Sequence, residues 1–109
     1  MLTEADYEAK AFPELRALID ALDALDLEGV EAELASDILT IEFRDGARYV
    51  LNSHRAARQI WMAAERSAWH FDWAPDRGQW IANKTGDELW STLERVLSQK
   101  FGEPVSLRA

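Results

Sequence analysis

The hydrophobic residues of the first 25 positions recur every three or four residues, which is the spacing of one face of an α-helix. This stripe consists of Leu15, Leu18, Ile19, Leu22 and Leu25. Thr3 followed by Asp6 is a pattern typical of a helix start. Pro13 interrupts the helix, because an internal proline removes a hydrogen bond and clashes with the preceding turn. The pattern therefore predicts a helix that either kinks at Pro13 or begins near it.

From Val30 onward the hydrophobic period changes to two, which is typical of strands that are buried on one face. The alternation covers residues 30–34 and 38–44, and the Asp45-Gly46 dipeptide that follows is a strong signal for a tight turn. Residues 38–44 and 47–52 are therefore predicted to form a hairpin. Further strands are predicted near Gln59–Ala64, 69–73 and Gln79–Ala82.

A second helix is predicted at the end of the chain, with a buried stripe of Leu89, Leu93, Val96 and Leu97. Thr85 and Glu88 have the spacing of a capping box, in which both side chains accept hydrogen bonds from free N–H groups. Gly102 is expected to end this helix. The order of helix, five or six strands and helix predicts an α+β fold in a single domain, 1–109. Its two terminal helices would pack on one face of an antiparallel sheet.

The length and composition limit the class of protein. A chain of 109 residues that is 48% hydrophobic and 29% charged is typical of one soluble globular domain. No apolar run approaches the roughly 20 residues of a membrane span, and the acidic N-terminus does not resemble a signal peptide. Because the chain has no cysteine, disulfides, thiolate metal sites and a cysteine nucleophile are excluded. A cytoplasmic protein is expected.

The charge is concentrated in the first half of the chain. Residues 1–45 hold 13 acidic and 3 basic side chains, whereas residues 46–109 hold 7 acidic and 9 basic ones. Nucleic-acid binding depends on neutralising phosphates, so this acidic chain is not expected to bind nucleic acid. Concentrated acidic residues favour cations or a basic protein surface as partners, and a merely solubilising surface is the other interpretation.

The predicted sheet has one face that the helices leave uncovered. Strand parity places Asn52, Gln59 and His70 on that face, together with Trp61. A tryptophan there indicates a contact surface, because tryptophan is enriched at binding hot spots. A register shifted by one residue would instead point Trp61 into the core. The strand pattern alone leaves both interpretations open.

Five segments, taken together and in their order along the chain, form its most specific pattern. Each segment alone is common. They are Leu39-Thr-Ile-Glu-Phe-Arg-Asp-Gly46, Tyr49-Val-Leu-Asn52, Gln59-Ile-Trp61-Met-Ala63, His70-Phe-Asp-Trp73, and Gly78-Gln-Trp80 with Thr85-Gly86. Together they resemble the frataxin family, and in particular its bacterial members, over most of residues 38–100. The resemblance implies an α-β sandwich, in agreement with the predicted order of elements. It also implies a regulatory role in iron–sulfur cluster assembly, with weak iron binding and docking on the cysteine desulfurase complex.

The resemblance assigns iron binding to acidic residues of the first helix and first strand. We call this group the acidic ridge; it consists of Asp20, Asp23, Asp26, Glu28, Glu31 and Glu33. Iron accepts hard oxygen ligands, so carboxylates suit it. We expect iron to bind weakly at exposed carboxylates. A closed, high-affinity metal site is not expected, because the chain offers no cysteine and only two histidines. Many family members carry further acids here, where this chain has Leu22, Leu25, Leu27 and Gly29.

The resemblance also assigns partner contacts to Asn52, Gln59 and Trp61, with His70 as a weaker candidate. The expected partners are the cysteine desulfurase and the iron–sulfur scaffold protein, and the chain is expected to be a monomer without iron. Members often have Gln-x-Pro after the asparagine, where this chain has a more basic stretch, residues 53–58. Its Arg55 and Arg58 either add a positive contact or are simply solvated.

No catalytic activity is expected from the sequence. His54 and His70 lack the spacing of a metal-ligand or catalytic pair, and no nucleophile–base motif is present. Two functions remain open. One is a regulator that docks on the desulfurase, and the other is an iron carrier that delivers Fe(II) to the scaffold protein.

Overall fold

Two helices pack on one face of a six-stranded antiparallel sheet in the computed structural model, which describes residues 2–108. The elements are α1 (Glu4–Leu25), β1 (Val30–Ala35), β2 (Ile38–Phe43), β3 (Arg48–His54), β4 (Gln59–Ala64), β5 (Ser67–Ala74), β6 (Gln79–Ala82) and α2 (Leu89–Phe101). Residues 55–57 form a short 3₁₀ turn between β3 and β4. The strands follow one another as a meander from β1 to β6, so the predicted fold class is confirmed.

Helix α1 begins at Glu4 and continues through Pro13, so the predicted start near Pro13 is wrong. Thr3 is the N-cap, and its Oγ1 accepts a hydrogen bond from the backbone N–H of Asp6 at 3.0 Å. Pro13 is exposed, while Tyr7 and Ala11 are buried on the N-terminal side of it. Core packing therefore extends across the proline, and it outweighs the unfavourable local propensity.

The core lies between the helices and one face of the sheet. The register places Leu51 between Leu39 and Met62, so that buried side chains form a continuous row across three strands. Of the predicted α1 stripe, Leu15, Leu18 and Leu22 are buried, whereas Leu25 is 38% exposed. Neither α1 nor α2 combines the length and apolar character needed to span a bilayer.

The hairpin between β2 and β3 forms as predicted. Gly46 at the turn has φ +90, a left-handed conformation that glycine adopts without steric cost. The backbone N–H of Phe43 donates to the carbonyl oxygen of Ala47 at 2.9 Å and closes the turn. This turn fixes the register of β3, and with it the face on which Asn52 lies.

Helix α2 begins at Leu89 rather than just after Thr85, so the predicted capping box is wrong. Glu88 is the N-cap, and its two carboxylate oxygens accept hydrogen bonds from the backbone N–H groups of Trp90 at 2.8 Å and Ser91 at 3.0 Å. Thr85 accepts instead from the N–H of Asp87 at 3.2 Å. Gly86, with φ +79, turns the chain between these residues and delays the helix start.

Both tyrosines of the chain are anchored by their hydroxyl groups. Tyr7 donates to the carbonyl oxygen of Gln59 at 2.7 Å, which ties α1 to the start of β4. Tyr49 donates to a carboxylate oxygen of Glu65 at 2.5 Å. Burial raises the pKa of the Tyr7 hydroxyl. Burial and the Glu65 carboxylate raise the pKa of the Tyr49 hydroxyl.

The raised pKa values predict a loss of stability at alkaline pH. In the unfolded chain both hydroxyls ionise near pH 10, so folding retains protons that the unfolded state releases. The tyrosines' contribution to stability is therefore complete below about pH 10 and is lost as the pH rises towards the folded-state pKa values. We expect urea denaturation to show a falling free energy of unfolding above about pH 10, with a shallower fall for Tyr49→Phe. Ionisation of Tyr49 in the folded protein near pH 10, seen as tyrosinate absorbance, would contradict this account.

Candidate functional site on the open face of the sheet

The predicted partner-binding residues lie together on the sheet face opposite the helices. The register pairs Ile38 with Asn52, Asn52 with Trp61, and Trp61 with His70, which makes one row across four strands. Gln59 shares this face, two residues before Trp61. The neighbours Ile60 and Met62 are buried on the other face. The shifted register that would place Trp61 in the core is therefore excluded.

Trp61 is sandwiched between two histidine rings. The ring centroid of His54 lies 3.8 Å from that of Trp61, with an angle of 14° between the planes. His70 stacks on the other side at 4.1 Å and 11°. Both faces of the indole are thus occupied, although the side chain stays partly exposed.

A chain of hydrogen bonds fixes the same ring from the side. The Nε1–H of Trp61 donates to Oε1 of Gln59 at 2.8 Å, and Nε2 of Gln59 donates to Oδ1 of Asp72 at 3.0 Å. Asn83 donates to the other oxygen of Asp72 at 3.0 Å. Gln59 therefore orients Trp61 and is less available to a partner than the sequence suggests. Asn52 forms no side-chain hydrogen bond among residues 2–108.

His54 is a member of this site that sequence reasoning missed. Its side chain reaches Trp61 diagonally across β3 and β4, because its direct partner in the register is Gln59. Its Nδ1 accepts a hydrogen bond from the backbone N–H of Ala57 at 3.3 Å, which holds the imidazole at the start of the 3₁₀ turn. The available signal was strand parity, since His54 follows Asn52 by two residues.

The neighbouring arginine is engaged within the protein. Nε of Arg55 lies 3.1 Å from a carboxylate oxygen of Glu8 on α1, and both side chains are largely exposed. An exposed ion pair of this kind contributes at most about 1 kcal/mol. A partner can therefore compete for Arg55 at little cost to the fold.

The acidic ridge is divided by the sheet. Asp20 and Asp23 lie on α1, on the helix side, whereas Glu31 and Glu33 are exposed on the open face of β1. Among residues 2–108, no three acidic or histidine side chains are close enough to hold a metal ion together. The ridge thus wraps around the edge strand as separate carboxylates.

An open groove connects part of the ridge to the sheet. It has a volume of about 590 Å³, and Asp26, Glu28, Glu31, Glu42 and Arg44 contribute to its lining. Asp26 ends α1 in a left-handed conformation, with φ +49. Arg44 lies 3.7 Å from the Glu28 carboxylate and offsets part of its charge. Glu42, which lies opposite Glu31 in the register, is an acidic member of this surface that sequence reasoning missed.

The fold and this face define a frataxin-like protein, and comparison with known proteins agrees. A family model described as a frataxin-like domain matches residues 1–103. The iron–sulfur cluster assembly protein CyaY of Thioalkalivibrio sulfidiphilus is 34% identical over 107 residues, which cover 97% of this chain and 100% of that protein. The chain belongs to the frataxin-like family.

Solved structures share the fold over almost the whole chain. A frataxin from Psychromonas ingrahamii matches with a TM-score of 0.87 at 19% identity, covering 99% of this chain and 100% of that one. A trimeric frataxin from Saccharomyces cerevisiae, complexed with ferrous iron, matches with a TM-score of 0.75 at 24% identity, covering 86% and 87% of the two chains. At these identities the likeness shows the fold alone.

Proposed function

We propose that this protein acts in iron–sulfur cluster assembly by docking its open sheet face on the cysteine desulfurase complex, where it modulates sulfur transfer. The observation that carries the proposal is the stacked, partly exposed Trp61 at the centre of a sheet face that the helices leave uncovered. The pathway is supported by the relative in Thioalkalivibrio sulfidiphilus, which is named for iron–sulfur cluster assembly.

The composition of the open face fits a protein interface. Ile38, 45% exposed, lies in the same row as Trp61, with Asn52 between them. Interfaces combine an apolar and aromatic centre with polar groups that fix orientation. Asn52 can both donate and accept, so it can pair with the backbone of a partner. This row supplies an apolar anchor together with a polar contact beside it.

The acidic ridge favours a basic partner surface. Glu31 and Glu33 stand at one edge of the open face. Their field extends over the row of Ile38, Asn52, Trp61 and His70, which we call the docking row. Complementary charge steers association and raises the rate of encounter. The ridge also supports weak binding of iron, because exposed carboxylates are hard oxygen ligands. The ferrous yeast frataxin is consistent with such binding. Bound iron would reduce the negative field and thereby tune docking.

The protein is proposed to be a binding module without catalytic activity. His54 and His70 lie on opposite faces of Trp61, so they cannot act on one substrate atom. The hydrogen-bond network around Gln59 and Asp72 contains no nucleophile beside a base. We expect a cytoplasmic protein that is monomeric without iron.

Iron carriage is the second candidate function. The open groove favours it, since four acidic residues contribute to its lining: Asp26, Glu28, Glu31 and Glu42. A carrier would need iron to act, whereas a docking module would bind the desulfurase without it. The two candidates therefore differ in the iron dependence of binding.

Calorimetric titration into the cysteine desulfurase of the same organism, with and without Fe(II), tests the proposal. We expect binding without iron, because the contacts proposed for the docking row need no metal ion. We expect a changed affinity when Fe(II) occupies the ridge, because bound iron reduces its negative charge. Mg²⁺ at the same concentration is the control for simple charge screening. Absence of binding, together with measurable uptake of iron, would reject docking and favour the carrier.

A further inference from the structure

We propose that His54 and His70 hold Trp61 edge-on to its partner, which makes His54 a positioning residue of the docking surface. The inference rests on the proposed docking function and goes beyond it. The observation that carries it is the occupation of both faces of the indole by imidazole rings.

The stack determines which part of Trp61 a partner can reach. Since His54 and His70 cover the two ring faces, no partner group can stack on the indole without displacing an imidazole. The side chain is nevertheless partly exposed, so the exposed part is the edge of the ring. The Nε1–H is already engaged by Gln59. The accessible surface is therefore a row of ring edges with the Asn52 amide beside it.

The chemistry of a ring edge selects the partner. The edge of an aromatic ring carries the positive part of its quadrupole, so oxygen acceptors pack favourably against it. Asn52, directly opposite Trp61 in the register, adds an amide donor to the same row. Such a surface fits a polypeptide segment that presents main-chain carbonyl oxygens. The acidic edge at Glu31 and Glu33 favours basic residues in the part of the partner that flanks this segment.

The ring is fixed before the partner arrives. His54 is held by the N–H of Ala57, and Gln59 is held by Asp72. A side chain that is already fixed loses less conformational freedom on binding, so affinity is gained without a new contact. This is the function that we infer for His54, which lies at the sheet surface beyond the buried core.

A shielding role is the competing interpretation of the stack. In that case the histidines would only remove apolar surface of Trp61 from water, and their loss would lower stability without a specific effect on docking. The two interpretations differ for a variant that loses the stack, because positioning predicts weaker docking and shielding predicts lower stability alone. His54→Phe preserves the stacking surface, whereas His54→Ala removes it.

The test compares wild type, His54→Ala, His54→Phe and Trp61→Ala in calorimetric titrations into the cysteine desulfurase. Arg66→Ala, in the exposed turn at the opposite end of β4, is the control for truncation of a surface side chain. The indole N–H resonance of Trp61 in the free protein, assigned by its absence in Trp61→Ala, reports the stack without any partner. Melting temperatures report the fold of each variant.

We expect His54→Ala to weaken binding by roughly 2- to 12-fold and to shift the Trp61 resonance, while His54→Phe binds like wild type. Equal affinities of His54→Ala and wild type would overturn the inference and leave docking through Trp61 intact. A His54→Phe variant that binds as weakly as His54→Ala would overturn positioning by stacking. Failure of wild type to bind would reject the proposed function, and the inference with it.

Discussion

Replacing Trp61 with alanine is expected to weaken binding to the cysteine desulfurase by at least about 30-fold, the factor that corresponds to a hot-spot residue. The substitution removes the largest side chain of the docking row and leaves both imidazoles without their stacking partner. It leaves the acidic ridge unchanged. Titration calorimetry without iron measures the effect.

Trp90→Ala is the matched control, because it makes the same substitution on the helix side of the molecule. Trp90 is partly buried there and donates from Nε1 to Glu14 at 2.6 Å, so its loss should lower the melting temperature. The affinity of the Trp90→Ala variant for the desulfurase should remain that of wild type. An unchanged affinity of Trp61→Ala, or equal losses in the two variants, would contradict docking through the open face.

Neutralising four carboxylates of the acidic ridge is expected to reduce the association rate by about tenfold or more at low salt, because long-range attraction to a basic surface is lost. The variant combines Asp20→Asn, Asp23→Asn, Glu31→Gln and Glu33→Gln. Stopped-flow binding at several ionic strengths measures the rate. The difference from wild type should shrink towards 1 M salt, where the Debye length is about 3 Å.

The division of the ridge by the sheet sharpens this test. Glu31 and Glu33 share the open face with Trp61, whereas Asp20 and Asp23 lie on α1. The Glu31→Gln/Glu33→Gln pair should therefore account for most of the loss. Asp76→Asn with Glu103→Gln makes the same change in net charge at exposed sites elsewhere. If this control pair slows association as much, net charge rather than the ridge is responsible.

Strand parity predicted most of the candidate site from the sequence. The Asp45-Gly46 turn fixed the register of β3, and two-residue alternation then placed Asn52, Gln59 and Trp61 on one face. Parity could not predict the His54–Trp61 stack, because the contact is diagonal and depends on side-chain rotamers. It likewise could not show that the Gln59 amide is engaged by Trp61 and Asp72.

The errors in the predicted fold occurred where tertiary packing or one glycine overrode a local signal. Pro13 suggested a helix boundary, but burial of Tyr7 and Ala11 keeps that part of α1 helical. Thr85 suggested a helix start, but Gly86 turns the chain and Glu88 becomes the cap.

The most direct test of docking through the open face is an NMR footprint of the ¹⁵N-labelled protein upon addition of unlabelled, iron-free cysteine desulfurase. We predict that the Trp61 indole N–H, the Asn52 side-chain amide and the backbone amides of β3 and β4 shift or broaden first. Signals from the exposed side of α2, such as Ser91 and Arg95, should change little. A footprint concentrated on α1 and α2, with Trp61 and Asn52 unaffected, would contradict the account.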